Sequence, residues 1–229
     1  MKDLAIGVSG INAVDNPGPG VGVARSLKEA EDLNARIIGL AYDAMEPGLY
    51  MDWVVDRSFI MPYPSGDGAA YFERLAYIRD QQGLDVLIPN LDAELPLYLK
   101  RAGELKDMGI ATFLPSMEQF KLRGKDKLAE VAERMDIKLP KTKVCTSLDQ
   151  LIAAVDELGL PVMVKGSFYK AYAAYTSTQA VSHFHALVAE WGYPVIVQSI
   201  VSGEELNVIG VGDGEGGSLG LVGIKKISV

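Results

Sequence analysis

The feature that most constrains the fold is the rhythm of the first half, where short apolar runs alternate with longer stretches of helical periodicity. Leu4 to Val8, Arg36 to Tyr42, Arg57 to Met61 and Asp85 to Pro89 are runs of strand length. Val21 to Asn34 and Ala69 to Gln82 carry the apolar spacing of amphipathic helices, and a further helix from Pro96 to Met108 precedes a fifth strand at Gly109 to Phe113. Strands separated by helices are joined by right-handed crossovers, so the pattern predicts a doubly wound α/β domain around a parallel sheet.

Beyond Leu114-Pro115 the pattern changes. A charged helix spans Met117 to Met135, stopped by Leu139-Pro140 before the extended segment Thr142 to Thr146. Ser147 is placed to cap a helix over Leu148 to Leu158, with Gly159 just past its end. Strands follow at Pro161 to Lys165 and Ala173 to Ser177, then a helix to Trp191. Val195 to Val201, Glu205 to Gly212 and Leu219 to Val229 complete the chain as strands, with Asp213 to Gly217 as a glycine-rich hairpin turn. The expected organisation is a parallel-sheet domain over residues 1–114 followed by an α+β portion over residues 115–229.

Charge and cysteine content narrow the partners. A net charge of −8 opposes a sequence-independent grip on nucleic acid, which needs Lys and Arg to release counterions from phosphates. A local pair of lysines can still hold a small anion. The single cysteine, Cys145, forms no internal disulfide, and its β-like segment makes it a small buried hydrophobe. His183 and His185, two apart on a helix, point to different sides and make a poor metal pair, so no metal-ligating set is expected. The apolar run after Met1-Lys2-Asp3 is too short for a signal peptide, and no stretch approaches the roughly 18 apolar residues of a membrane span. A soluble cytoplasmic protein is expected.

Three features of the second half point to a nucleotide. Asp126-Lys127 lies on the charged helix. Gly159-Leu160-Pro161-Val162-Met163-Val164-Lys165 is a strand ending in a lysine whose stem can stay packed while its ammonium reaches phosphate oxygens. Gln198 to Val208 joins two strands through Ser202-Gly203, where backbone groups can meet a base edge and a following carboxylate can accept ribose hydroxyls.

In order and separation these three elements resemble those of the ATP-grasp superfamily, in the manner of biotin carboxylase and the large subunit of carbamoyl phosphate synthetase. The segment Asp85 to Leu95 is likewise similar to the last segment of the pre-ATP-grasp domain. The resemblance implies a pre-ATP-grasp domain over 1–114 and the first part of an ATP-grasp domain over 115–229, with a small lid at about 140–197. It implies that Lys127 and Lys165 bind the phosphates of ATP, that Gln198 stands near the exocyclic amine and that Ile200 offers its backbone to the base. Glu205 is implied as acceptor of the ribose hydroxyls, with Glu204 the competing choice. Asn16, Asn90, Asp92 and Glu94, at the carboxyl edge of the parallel sheet, would face a carboxylate substrate or its acceptor, although helix N-terminal charge explains Asp92 and Glu94 equally well. The implied reaction is ATP-dependent activation of a carboxylate as an acyl phosphate, followed by attack of an amine or similar nucleophile.

Two departures from the family pattern stand out. The glycine-rich flap expected after Lys165 is replaced by Gly166 to Ala174, with one glycine and three aromatic residues, where Lys170 or the Tyr169 hydroxyl is a candidate substitute donor. The carboxylates and Asn that hold magnesium in the family are expected beyond Val229, supplied by a separate carboxyl-terminal half or absent from a truncated or degenerate chain, so no catalytic residue is assigned. A homo-oligomer is the other partner expected. Two other readings compete. Asn16-Pro17-Gly18-Pro19-Gly20-Val21-Gly22 with Asp43 fits an NAD(P)-binding oxidoreductase. A non-catalytic subunit that binds nucleotide is the other.

Overall fold

The computed structural model describes residues 2–13, 16–124, 127–167 and 170–227. Met1, Val14, Asp15, Asp126, Phe168, Tyr169, Ser228 and Val229, on which parts of the sequence reading fall, lie outside the described residues. The chain divides into two compact units, Met1–Met117 and Glu118–Val229.

In the first unit, β1 (Lys2–Val8), β2 (Leu33–Ala41), β3 (Arg57–Ile60), β4 (Val86–Ile88) and β5 (Ala111–Thr112) form one sheet in the order β3-β2-β1-β4-β5. Every pairing is parallel. Parallel strands need crossovers on both faces, and the central strands are apolar on both sides in consequence. In β1 and β2, Ala5, Ile38 and Leu40 pack with Tyr71, Phe72, Leu75 and Ile78 of α2 (Gly68–Gln82), Tyr98 of α3 (Leu95–Lys100) and Leu105 of α4 (Ala102–Asp107). Their neighbours Ile6, Val8, Ala35 and Ile37 turn the other way, onto Ala24 of α1 (Pro19–Glu29) and onto Val54 and Val55. The doubly wound parallel sheet expected from the sequence is the fold observed.

Several boundaries differ from the sequence reading. The first helix starts at Pro19, a favoured first-turn residue, and ends at Glu29 rather than Asn34. Leu33 and Asn34 instead pair with Lys2 and Asp3, because seven parallel pairs with β1 outweigh local helical periodicity. The helix expected over Pro96 to Met108 divides at Arg101, whose guanidinium donates to the Gly68 carbonyl and pairs with Glu104.

In the second unit, the single helix expected over Met117 to Met135 is two, α5 (Met117–Leu122) and α6 (Leu128–Arg134). Gly124 lies between them, donating its N–H to the Lys121 carbonyl and accepting from the Lys127 N–H. A four-stranded sheet follows, with β6 (Thr142–Cys145), β7 (Val162–Gly166), β8 (Ala171–Ala174) and β9 (Val195–Ser199) in the order β6-β9-β7-β8, all antiparallel neighbours. Two helices, α7 (Leu148–Leu158) and α8 (Ser177–Trp191), cover one face through Leu151, Val155, Phe184 and Leu187 on Cys145, Val162, Val164, Val195 and Val197. Ser147 caps α7 by accepting the Gln150 N–H, and Gly159 ends it, as the sequence indicates. Thr176 caps α8 in the same way, which is why the strand expected to reach Ser177 stops at Ala174. A hairpin of β10 (Leu206–Gly212) and β11 (Ser218–Lys225) forms its own two-stranded sheet. Its turn is closed by the Asp213 carboxylate, which accepts the N–H groups of Glu215 and Gly217. Among the described residues no helix is long and apolar enough to cross a membrane.

The start of α1 sets a sharp steric test. A methyl at Gly20 would lie 2.0 Å from the Ser9 carbonyl oxygen, a backbone atom, whereas one at Gly22 would meet nothing within 4 Å. Gly20→Ala is expected to lower stability by about 2 kcal/mol or more. Gly22→Ala, inside the helix, should raise it by about 0.5–1 kcal/mol. Urea unfolding of the two variants beside the parent chain checks both signs.

Candidate functional site

The alternation of side chains along β7 separates Val162 and Val164, buried under the helices, from Met163 and Lys165, which lie on the opposite face. Register carries that face across the sheet. Met163 pairs with Gln198 and Lys165 with Ile196, while on the far side of β9 Thr142 pairs with Gln198 and Val144 with Ile196. Lys165 Nζ donates to Gln198 Oε1 at 2.6 Å, Gln198 Nε2 donates to Thr142 Oγ1 at 2.8 Å, and the Thr142 hydroxyl donates to the Pro140 carbonyl at 2.8 Å. An ammonium can only donate, so the chain of bonds fixes which end of the Gln198 amide faces Lys165.

Gln198 is only 8% exposed, and this orientation satisfies it. Partial burial pushes the Lys165 ammonium below its ordinary range, and the carboxylate of Glu205 opposes that shift. The structure therefore brings Lys165, Gln198 and Glu205 into one electrostatic neighbourhood. Glu205 is itself paired with Lys226 at 3.0 Å, and Glu204 with Lys225. Ile200 follows β9 directly and is 37% exposed.

Lys127 occupies the position before the first residue of α6, half-exposed, with its ammonium 3.7 Å from Glu130 of the same helix. Lys170, the candidate substitute donor in the β7–β8 turn, pairs instead with Glu190 of α8 at 2.7 Å. The Gly166 N–H donates to the Lys170 carbonyl and closes that turn as a hairpin.

In the first unit a cavity of about 540 Å³ opens at the carboxyl edge of the sheet. It is lined by Asn12 and Ala13 after β1, Tyr42, Asp43 and Met45 to Pro47 after β2, Tyr63 and Pro64 after β3, and Leu91, Ala93 and Glu94 after β4. Strand order reverses between β1 and β4, the place where ligands of open α/β sheets bind. Glu94 is fully buried at the cavity's base, where its carboxylate accepts Ser9 Oγ at 2.6 Å, the Tyr42 hydroxyl and the Leu91 N–H. The Tyr42 hydroxyl also meets that of Tyr71 at 2.9 Å, and Tyr71 meets Tyr98 at 2.5 Å. Burial raises the Glu94 carboxyl above its usual value, against the opposing pull of these donors.

The other substrate candidates are spread around the same edge. Asn90 spends its amide on the Ser9 and Ile88 carbonyls and ties β1 to β4. Asn16 and Asp92 are exposed. Tyr42, Glu46 and Tyr63, which line the cavity, were not singled out in the sequence, because they converge from separate strand ends and no spacing announces them.

The glycine turn of the dinucleotide reading is committed to the protein itself. Gly18 N–H donates to the Asn12 carbonyl at 2.7 Å and Gly20 N–H to the Gly10 carbonyl at 2.9 Å. Those amides hold the loop after β1 rather than forming a cradle for a pyrophosphate. Asp43, the ribose-binding candidate of that reading, accepts the Met45 N–H at 2.7 Å and lines the cavity.

No protein-family model matches the chain. Over 130 residues, 53% of this chain and 31% of the relative, it is 32% identical to a phosphoribosylamine–glycine ligase of Mycobacterium leprae (strain TN). Its structure matches that of an N5-carboxyaminoimidazole ribonucleotide synthetase in complex with ADP, with a TM-score of 0.68 at 17% identity. That match covers 99% of this chain and 54% of the other. An L-amino acid ligase from Bacillus licheniformis matches with a TM-score of 0.64 at 16% identity, over 96% of this chain and 50% of the ligase. The chain thus spans about half the length of these solved structures, and it has the fold of the amino-terminal half of ATP-grasp enzymes.

Glu94 provides a test by pH. Its carboxyl is raised in the folded state, so the native protein holds the proton more tightly than the unfolded chain, and its contribution to stability declines as pH rises through that interval. Glu94→Gln removes the titration and keeps one acceptor oxygen for the Ser9 hydroxyl and the Leu91 N–H, its NH2 group turning to the Tyr42 hydroxyl. Its stability relative to the parent chain is expected to rise between about pH 4 and about pH 7. Urea unfolding at both values measures this, and a fall or no change contradicts the assignment.

Proposed function

We propose that the second unit binds ATP on the face of its four-stranded sheet opposite α7 and α8. The chain would then be the nucleotide-binding part of a ligase that activates a carboxylate as an acyl phosphate for attack by an amine or similar nucleophile. The observation that carries this reading is the bond chain from Lys165 through Gln198 to Thr142, which holds a partly buried cation beside a buried amide on the face opposite α7 and α8. Lys165 would meet phosphate oxygens with its stem packed on the sheet, and Lys127 would meet them from the start of α6. Gln198 Oε1, already facing outward to an ammonium, has a second lone pair for the exocyclic amine of the base. Ile200 would offer its backbone to the base edge. Glu205 is the better choice than Glu204 for the ribose hydroxyls, because it acts on Lys165 electrostatically.

Phosphoryl transfer rests on positioning and charge neutralisation, with magnesium supplying much of the latter in this chemistry. Among the described residues no group of three or more His, Cys, Asp or Glu side chains is placed to hold a metal ion. By the family resemblance the magnesium ligands would lie on polypeptide other than these residues. The cavity of the first unit, with Glu94 at its base and Asn16, Asn90 and Asp92 along the same edge, would take the substrate or its acceptor. The exposed Leu206, Val208, Ile209, Leu219, Leu221 and Val222 of the hairpin form more apolar surface than a lone two-stranded sheet holds stably in water. They support a partner, either a separate second half or another copy of the chain. The single, buried thiol and an ATP-consuming reaction fit the cytoplasm.

Calorimetric titration tests the reading. Mg-ATP is expected to bind the parent chain at roughly micromolar affinity and to weaken by about tenfold or more in Lys165→Ala and in Glu205→Ala. Absence of ATP binding, or NADH binding indifferent to both changes, would remove the nucleotide assignment from this unit.

A further inference from the structure

The cavity at the carboxyl edge of the parallel sheet has a charge that discriminates between ligands. Asp43, Glu46 and Glu94 all contribute to its wall, and its described lining contains no lysine, arginine or histidine. Glu46 is held in place by accepting the Tyr42 N–H at 2.8 Å, and Asp43 by accepting that of Met45. The rings of Tyr42 and Tyr63 stack with centroids 5.7 Å apart and planes 15° from parallel. Met45, Pro47, Pro64 and Leu91 supply the apolar remainder.

A phosphate entering this space would lose its water and find carboxylates in place of a cation. An ammonium group would find carboxylate oxygens and the faces of two aromatic rings, and a short aliphatic body would find the apolar wall. We infer that this cavity takes the protonated amine of a small, unphosphorylated amino compound, the acceptor of the ligation. Its role as acceptor rests on the ligase reading above, whereas the preference for an amine rests on the cavity alone.

The test uses the whole chain labelled with ¹⁵N, titrated separately with L-leucinamide, ribose 5-phosphate and Mg-ATP. L-Leucinamide is expected to shift the amides of Tyr42 to Glu46, Tyr63 and Leu91 to Glu94 saturably, at roughly millimolar affinity or tighter. Asp43→Asn and Glu46→Gln should each weaken that binding by about threefold to tenfold, and ribose 5-phosphate should leave the same amides unmoved. Because Glu46 supports the Tyr42 backbone, the Asp43→Asn variant on the exposed loop decides the matter if Glu46→Gln unfolds. Shifts at these amides from ribose 5-phosphate, none from L-leucinamide, or leucinamide binding unchanged in Asp43→Asn would overturn the inference.

Mg-ATP reports on the other unit in the same samples. An ATP response at β7 and β9 without leucinamide binding defeats the amine inference alone. Leucinamide binding without an ATP response defeats the nucleotide reading and leaves the amine preference standing.

Discussion

The register of β9 between β6 and β7 is the constraint on which the candidate nucleotide site depends. Gln198 stands opposite Met163 on one side and Thr142 on the other, so its amide is placed to bridge Lys165 and the Thr142 hydroxyl. A slip of one residue would turn Gln198 toward α7 and α8 and carry Val197 to the opposite face. The hydrophobic residues of β9 forbid that slip, because Val195 and Val197 are fully buried against those helices. Packing on one face thus fixes the chemistry on the other.

The first unit uses the same economy with parallel strands. Because every pairing is parallel, the chain leaves the sheet at the same carboxyl edge after every strand, and four loops converge there. Ser9 links this edge together, its hydroxyl donating to Glu94 and accepting from the Asn90 N–H. A buried carboxylate is costly without donors, and here a serine, a tyrosine and a backbone N–H supply them. The tyrosines behind it show the same coupling from the other side, since burial and the nearby Glu94 charge both raise the Tyr42 and Tyr71 hydroxyls above their ordinary range.

Local chemistry was the most legible part of the sequence. Ser147, Gly159 and the Asp213 to Gly217 turn act within a few residues of themselves, so spacing alone places them. The doubly wound parallel sheet of the first unit followed from the alternation of elements, because handedness and crossover length leave few topologies. What could not be read was whatever depends on distant partners. Nothing local to Arg101 shows that its guanidinium will reach Gly68 and divide a helix, and the charged run after Met117 keeps helical periodicity across the break near Gly124. Glu94 could be a helix-end charge or a substrate contact by sequence. Its burial beneath Tyr42 and Ser9 follows only once β1, β2 and β4 lie side by side.

The central claim is that a nucleotide lies on the face of the four-stranded sheet opposite α7 and α8 rather than at the glycine turn before α1. Hydrogen exchange with and without Mg-ATP addresses it most directly, because both locations are read in one experiment. The account predicts that the nucleotide slows exchange in Val162–Gly166, in Val195–Ser199 and through residues 200–205, and leaves residues 18–24 as they were. Slowed exchange at residues 18–24 with none in β7 and β9, or no change anywhere at saturating nucleotide, would contradict it.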